Sequence, residues 1–151
     1  MYELTKRVMF CAAHSIKGAG KCENKHGHNW EAHIKVNLVQ GELDPRGFIV
    51  DVGDLKDAAF KYDHDDLDKY FEYASTENVA QKIAADALDI CLQTNPANKY
   101  VVEVHLIETE NNTATARADN VVATGMDNVL TEVADAMSEA AFPAIPIKRI
   151  A

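Results

Sequence analysis

Residues 28–38 alternate between apolar and polar side chains over most of their length. The apolar positions are Trp30, Ala32, Ile34, Val36 and Leu38. Successive side chains of a strand point to opposite faces of a sheet, so this period predicts a β-strand with one buried face. Residues 2–14 show nearly the same period and predict a neighbouring strand. The glycine-containing segment 15–27 is predicted to be the loop between them.

Two helices are predicted after these strands. Asp51 can cap a helix that ends near Tyr62, because its side chain can accept from the free N–H groups of the first turn. Ser75 can cap a second helix in the same way, and Asn95-Pro96 is predicted to end it. Both segments carry apolar residues at helical spacing, which indicates one buried face on each helix.

The last part of the chain predicts two more strands and an extension. Residues 99–108 predict a strand, and Thr113 to Arg117 predict another after a turn at Asn111-Asn112. The order β-β-α-α-β-β indicates an α+β domain over residues 1–118 with an antiparallel sheet. Residues 119–151 predict a C-terminal extension with an amphipathic helix, for which we expect a role in packing or subunit contact.

Charge and cysteine content restrict the class of protein. The formal net charge of −9 disfavours a nucleic-acid partner, because phosphate groups would be repelled. The odd number of cysteines, three, favours reduced thiols and a cytoplasmic location. The N-terminal residues lack the apolar run of a secretory signal, and no stretch approaches the length that spans a membrane. A membrane partner is therefore not expected.

Three histidines fall at the adjacent ends of the first two predicted strands. His26 and His28 are two residues apart, so both rings point to one face in extended backbone, and His14 ends the first strand on its apolar side. Three imidazoles can form three corners of a tetrahedral Zn²⁺ site and leave the fourth position open. Iron, copper or nickel also bind neutral imidazole, and three unrelated histidines are the alternative. The pattern favours a metal site with Zn²⁺ as the cofactor.

Cys22 lies four residues before His26 in the predicted loop. A nearby metal or cation favours the thiolate form, which would make Cys22 a nucleophile or a base. In the competing interpretation, Cys22 is the fourth zinc ligand and closes a structural site. Strand alternation places Cys11 on the face opposite His14, which argues against Cys11 as a ligand.

Two further acidic positions are candidates for the site. Asp63-His64 lies within an acidic run that ends at Asp68, and such a run is typical of a solvated turn. A histidine beside a carboxylate could instead be an oriented proton shuttle. Glu108 extends the apolar face of a predicted strand, where a buried acid needs a partner or a ligand. A frayed strand end is the alternative for Glu108.

Together these residues resemble the 6-pyruvoyltetrahydropterin synthase family. The motifs that carry the resemblance, in the family's order, are Phe10-Cys11-Ala12-Ala13-His14, Cys22 with His26-Gly27-His28-Asn29, Phe48-Ile49-Val50-Asp51 with Leu55-Lys56, Asp63-His64, Ser75-Thr76-Glu77-Asn78 and Glu108-Thr109. Each motif alone is weak, and their combination is specific. The resemblance implies a tunnelling fold, whose trimers close a barrel and commonly stack into hexamers with active sites between subunits.

The resemblance also implies roles for single residues. His14, His26 and His28 match the zinc ligands, and Cys22 matches the base that abstracts a proton from the substrate. Asp63 and His64 match the relay partners of that base, and the neighbouring subunit usually supplies them. Glu108 matches the acid that binds the pterin ring through its adjacent N–H donors, and Thr109 is the residue beside it.

The spacing in the loop suggests a branch within the family. Three residues separate Cys22 from His26, which is similar to the bacterial 6-carboxy-5,6,7,8-tetrahydropterin synthases of queuosine biosynthesis. The implied reaction is lyase chemistry that converts 7,8-dihydroneopterin triphosphate to 6-carboxytetrahydropterin, acetaldehyde and triphosphate. Lys17, Lys21 and Lys25 could contact the triphosphate, and a solvated loop is an equal alternative.

Two other functions stay open at this point. Glu23, next to Cys22, is similar to the glutamate of family members that form 6-hydroxymethyldihydropterin for folate, so a 6-pyruvoyl or folate-branch enzyme, or a dual activity, is one alternative. A non-catalytic protein that binds zinc or a pterin, kept folded by a closed Cys/His site, is an alternative of another class.

Overall fold

The computed structural model describes residues 1–121, and the predicted order of helices and strands is confirmed there. The elements in chain order are β1 (Tyr2–His14), a 3₁₀ helix (Gly20–Glu23), β2 (His26–Gln40), α1 (Val52–Phe60), β3 (Asp65–Asp66), a second 3₁₀ helix (Leu67–Lys69), α2 (Thr76–Thr94), β4 (Lys99–Thr109) and β5 (Asn112–Asp119). The helix predicted within residues 119–151 lies outside the described residues. Neither α-helix within residues 1–121 is long and apolar enough to cross a membrane.

The sheet has five strands in the order β3-β1-β2-β4-β5. The four long strands pair antiparallel as predicted, but β3 runs parallel to β1, with Ala12 opposite Asp65. The antiparallel pairing predicted for the sheet is therefore confirmed for the four long strands, and the short strand β3 makes the sheet mixed. The acidic run, predicted as a solvated turn, contains a turn at residues 61–64 followed by this two-residue strand. After α1 the chain turns at His64, whose φ is 58°, and the N–H of His64 donates to the carbonyl of Cys11 at 2.6 Å.

The core lies between the apolar face of the sheet and the two α-helices. Trp30, Ile34 and Val36 of β2 are fully buried, together with Leu55 of α1 and Ile83 of α2. Burial of large apolar side chains supplies the main driving force for this packing. Because the core face of β1 and β2 ends in His14, His26 and His28, the same alternation that builds the core also orients these rings.

Replacing Asp51 by alanine is expected to lower the free energy of unfolding by about 1 kcal/mol, because the N-terminal cap of α1 is lost. The Asp51 carboxylate accepts from the N–H of Gly53 at 2.8 Å. Urea denaturation measures the change. Asp57→Ala, at an exposed position inside α1, is the matched control, and an equal loss in both variants would contradict the capping role.

Candidate active site

The register of β1 and β2 brings three imidazoles together. His14 pairs with His26 across the two strands, and His28 lies two residues further along β2. The ring centroids are 4.6 Å apart for His14 and His26, 5.2 Å for His14 and His28, and 4.9 Å for His26 and His28. One nitrogen from each ring lies within 4.8 Å of the other two. The predicted convergence of the three side chains is therefore found in the structure.

Backbone carbonyls fix the tautomers of two of these rings. Nδ1 of His14 lies 2.7 Å from the carbonyl oxygen of Ala74, and Nδ1 of His26 lies 2.7 Å from that of Asn24. A carbonyl only accepts hydrogen bonds, so each Nδ1 carries the proton and each neutral ring presents a lone pair at Nε2. Such bonds from the second ring nitrogen are typical of histidines that bind metal.

The spacing of the facing nitrogens fits a shared cation. Nε2 of His14 and Nε2 of His26 are 3.1 Å apart, although two lone pairs repel each other at that distance. Ligands about 2.0–2.1 Å from a tetrahedral zinc ion are separated by roughly 3.3–3.4 Å. The two rings thus have nearly the separation that a common zinc ion requires.

His28 adds an unpaired nitrogen to the same place. Its Nε2 is buried and has no hydrogen-bond partner among the described residues. Burial lowers the pKa of His28, and the neighbouring histidines add to this effect against the opposing charge of Glu108. The ring is therefore held in the neutral form, which is the form that binds metal. A metal ion would satisfy a nitrogen that otherwise costs roughly 1–3 kcal/mol to bury.

Glu108 lies beside the three rings and is itself held in place. Its Oε1 is 3.4 Å from Nε2 of His14 and 4.0 Å from Nε2 of His28. Its Oε2 accepts from Nδ2 of Asn112 at 2.5 Å, and the same Nδ2 donates to the hydroxyl of Thr76 at 3.2 Å. The partner that a half-buried acid requires is thus Asn112. From the sequence, Asn112 is predicted to lie in the turn between the last two strands. The one signal for its contact with Glu108 is that the two residues lie on opposite sides of this short hairpin turn.

Thr109 follows Glu108 at the exposed end of β4 and pairs with Asn112 across the two-residue turn to β5. No side-chain hydrogen bond of Thr109 occurs within residues 1–121.

Cys22 lies in the 3₁₀ turn and is half-buried. Within residues 1–121, the group of converging metal-binding atoms contains the three histidines and not the sulfur of Cys22. This geometry favours an open site over the closed Cys/His site. Glu23 accepts from the N–H of Gly18 at 2.6 Å, so its carboxylate braces the loop that carries Cys22.

Asp63 and His64 form an oriented pair along the outer edge of β1. Oδ1 of Asp63 accepts from the N–H of Cys11 at 2.8 Å, and Oδ2 lies 2.9 Å from Nδ1 of His64. The bond from Cys11, followed by that from His64, holds the pKa of Asp63 below its ordinary value. The His64 side chain is 81% exposed. No hydrogen bond in the described part of the chain joins this pair to Cys22 or to the three converging histidines.

Comparison with known proteins identifies the family of this chain. Residues 3–119 match the family model described as 6-pyruvoyl tetrahydropterin synthase. The chain belongs to the 6-pyruvoyl tetrahydropterin synthase family. The 6-carboxy-5,6,7,8-tetrahydropterin synthase of Bacillus subtilis is 32% identical in an alignment 118 positions long, which covers 72% of this chain and 80% of that protein.

Two animal members of the family are also similar. The 6-pyruvoyl tetrahydrobiopterin synthase of Drosophila melanogaster is 32% identical in an alignment 122 positions long, which covers 68% of this chain and 72% of that protein. The structure of 6-pyruvoyl tetrahydropterin synthase from Caenorhabditis elegans aligns with a TM-score of 0.58 and 28% identity, over 78% of this chain and 95% of that one. The expected tunnelling fold is thereby confirmed.

Proposed function

We propose that this chain is a zinc-dependent 6-carboxy-5,6,7,8-tetrahydropterin synthase of queuosine biosynthesis. It would act as a lyase on 7,8-dihydroneopterin triphosphate and release acetaldehyde and triphosphate. The observation that carries the proposal is the convergence of one ring nitrogen from each of His14, His26 and His28 beside the carboxylate of Glu108. The identity is 32% both to the carboxy enzyme of Bacillus subtilis and to the pyruvoyl enzyme of Drosophila melanogaster, so the choice of the carboxy branch rests on the three residues between Cys22 and His26.

Each side chain has a defined task in this proposal. His14, His26 and His28 hold zinc, and bound zinc would acidify the hydroxyls of the substrate side chain and the C–H bonds beside them. Cys22 accepts the proton from carbon. Glu108 accepts hydrogen bonds from the N–H edge of the pterin ring, which fixes the ring relative to the metal.

The proposal includes a homo-oligomer, a hexamer built from two trimers. Asp63 and His64 support it, because the pair is rigidly oriented and yet His64 points outward with 81% of its side chain exposed. In the proposed oligomer this pair completes the active site of a neighbouring subunit. We retain the cytoplasmic location predicted from the cysteine content as part of the same proposal.

Product analysis tests the reaction. Purified full-length protein with one equivalent of zinc is incubated with 7,8-dihydroneopterin triphosphate, and the products are separated by chromatography. Acetaldehyde together with 6-carboxytetrahydropterin is the expected result. 6-Hydroxymethyldihydropterin would assign the folate branch, and triphosphate with 6-pyruvoyltetrahydropterin would assign the pyruvoyl branch. Stoichiometric zinc or pterin binding without any product would favour the non-catalytic alternative.

Replacing Asn112 by leucine is expected to raise KM for the pterin substrate about tenfold, because a hydrogen bond to a charged group contributes roughly 1.5–3 kcal/mol. Glu108 would then lose the donor that orients its Oε2. Steady-state kinetics measures KM and kcat, with a smaller change expected in kcat. Asn111→Leu, at the adjacent turn residue, is the control, and an unchanged KM in Asn112→Leu would contradict the orienting role.

A further inference from the structure

Asp68 connects the ends of the two strands that carry His14 and His26. Its Oδ1 accepts from the N–H of Ser15 at 3.0 Å, and its Oδ2 accepts from the Ser15 hydroxyl at 2.5 Å. The same Oδ2 accepts from Nζ of Lys25 at 2.7 Å. Ser15 directly follows His14, and Lys25 directly precedes His26. One carboxylate therefore holds both strand ends. We call Ser15, Lys25 and Asp68 the Asp68 cluster.

The carboxylate of this cluster comes from a fixed segment. Leu67 is fully buried in the core and anchors the 3₁₀ helix, and Oδ1 of Asp66 accepts from the N–H of Asp68 at 3.0 Å. Partial burial acts to raise the pKa of Asp68, but hydrogen bonds from Lys25 and Ser15 outweigh it and hold the pKa at about 2. Asp68 is therefore ionised at neutral pH.

The cluster lies at one end of the β1–β2 strand pair. His14 and His26 are the last pair in the ladder between β1 and β2, and the chain leaves the sheet on either side of it. Terminal pairs of a ladder open more readily than central ones. The 3.1 Å separation of the two Nε2 atoms depends on this pair staying closed.

We propose that Asp68 is a positioning residue for the metal site, which keeps the terminal strand pair closed so that His14 and His26 face one ion. This inference rests on the zinc site of the proposed function. It also assigns Lys25 to the loop, since its ammonium is paired with Asp68 and with Asp66 at 2.6 Å. Lys25 is thus a structural cation rather than a contact for the triphosphate.

Zinc titration of the metal-free full-length protein tests the proposal, with a chromophoric chelator as competitor. Asp68→Ala is expected to weaken zinc binding about tenfold or more, because residues that orient ligands typically contribute 10–100-fold to affinity. Asp68→Asn is expected to lie between, since its amide oxygen still accepts from Ser15 without neutralising Lys25. Asp66→Asn is the matched control, because Asp66 contacts Lys25 but not Ser15, and the amide oxygen of asparagine can still accept from the N–H of Asp68. We expect this control to bind zinc as the unchanged protein does.

A spectroscopic signature separates positioning from general stability. Cobalt(II) replaces zinc, and its visible absorption bands report the arrangement of the ligands. We expect altered bands in Asp68→Ala and unchanged bands in Asp66→Asn. Unchanged affinity and unchanged bands in Asp68→Ala would overturn the proposal. If Asp68→Ala does not fold, as judged by circular dichroism, the same comparison between Asp68→Asn and Asp66→Asn decides.

Failure of the proposed zinc site can be distinguished from failure of the positioning role of Asp68. The unchanged protein would then bind no zinc at micromolar concentration. In that case the ring ¹⁵N signals of His14 and His26 in the metal-free protein test the cluster directly. A shift of these signals in Asp68→Asn, but not in Asp66→Asn, would support the positioning role, and no difference between the two variants would reject it.

Discussion

Replacing Cys22 by alanine is expected to stop turnover while the protein keeps its zinc. General base catalysis by a positioned side chain contributes about 10²–10⁴-fold, so kcat is expected to fall by a factor in that range. Zinc is retained because the sulfur of Cys22 lies outside the group of converging nitrogens within the described residues. Kinetics with dihydroneopterin triphosphate measures the first effect, and metal analysis of the dialysed protein measures the second.

Cys11→Ser is the control for the loss of a thiol. Cys11 is exposed, and its sulfur lies 3.0 Å from the side-chain oxygen of Asn29, a bond that a serine hydroxyl can also make. We expect this variant to turn over substrate at a rate close to that of the unchanged protein. Loss of zinc from Cys22→Ala together with a lower unfolding temperature would contradict the role of Cys22 as a base. That result would favour the interpretation in which Cys22 is the fourth ligand of a closed structural zinc site.

The sequence predicted the long strands, the helices and the convergence of the three histidines, because all of these depend on local periods. Alternation along β1 and β2 fixes which face each side chain occupies, and a strand pair then brings His14 opposite His26. The caps at Asp51 and Ser75 were predictable for the same reason, since the capping side chain and the N–H that it accepts from are close in sequence.

What the sequence did not predict depends on contacts between distant segments. The parallel strand β3 has only two residues, Asp65 and Asp66, and so has no period to recognise. The carbonyl of Ala74 orients His14 from 60 residues away, and backbone carbonyls leave no mark in a sequence. In the sequence, Asp68 is only the last residue of an acidic run, and nothing there indicates that its carboxylate connects two strand ends. Long-range polar contacts of this kind follow from the fold and not from composition.

Replacing His28 by alanine is expected to release zinc, whereas replacing His64 by alanine is expected to leave zinc bound, and both changes should abolish activity. The His28→Ala variant lacks one of the three zinc ligands. Its zinc affinity is therefore expected to fall at least about 100-fold, which is more than the loss of a typical residue that orients a ligand would cause. His64 lines the same cavity as His28 but is hydrogen-bonded to Asp63 and not to the three rings, so its loss would remove only the proposed proton relay. Zinc titration and kcat measured on both variants check this pattern, which zinc release by His64→Ala would contradict.

Mixing the two inactive variants then tests whether neighbouring subunits share an active site. If each site takes His28 from one subunit and His64 from the next, random reassembly of equal amounts restores both residues in about a quarter of the sites, so about a quarter of the activity should return. Each variant denatured and refolded alone is the control and should stay inactive. If both residues instead served the same subunit's site, every site would lack one of them, and no mixture would recover activity. Recovery of about a quarter of the activity therefore requires active sites that take residues from two subunits. If a refolded oligomer recovers no activity, His64 does not act in the active site of the neighbouring subunit.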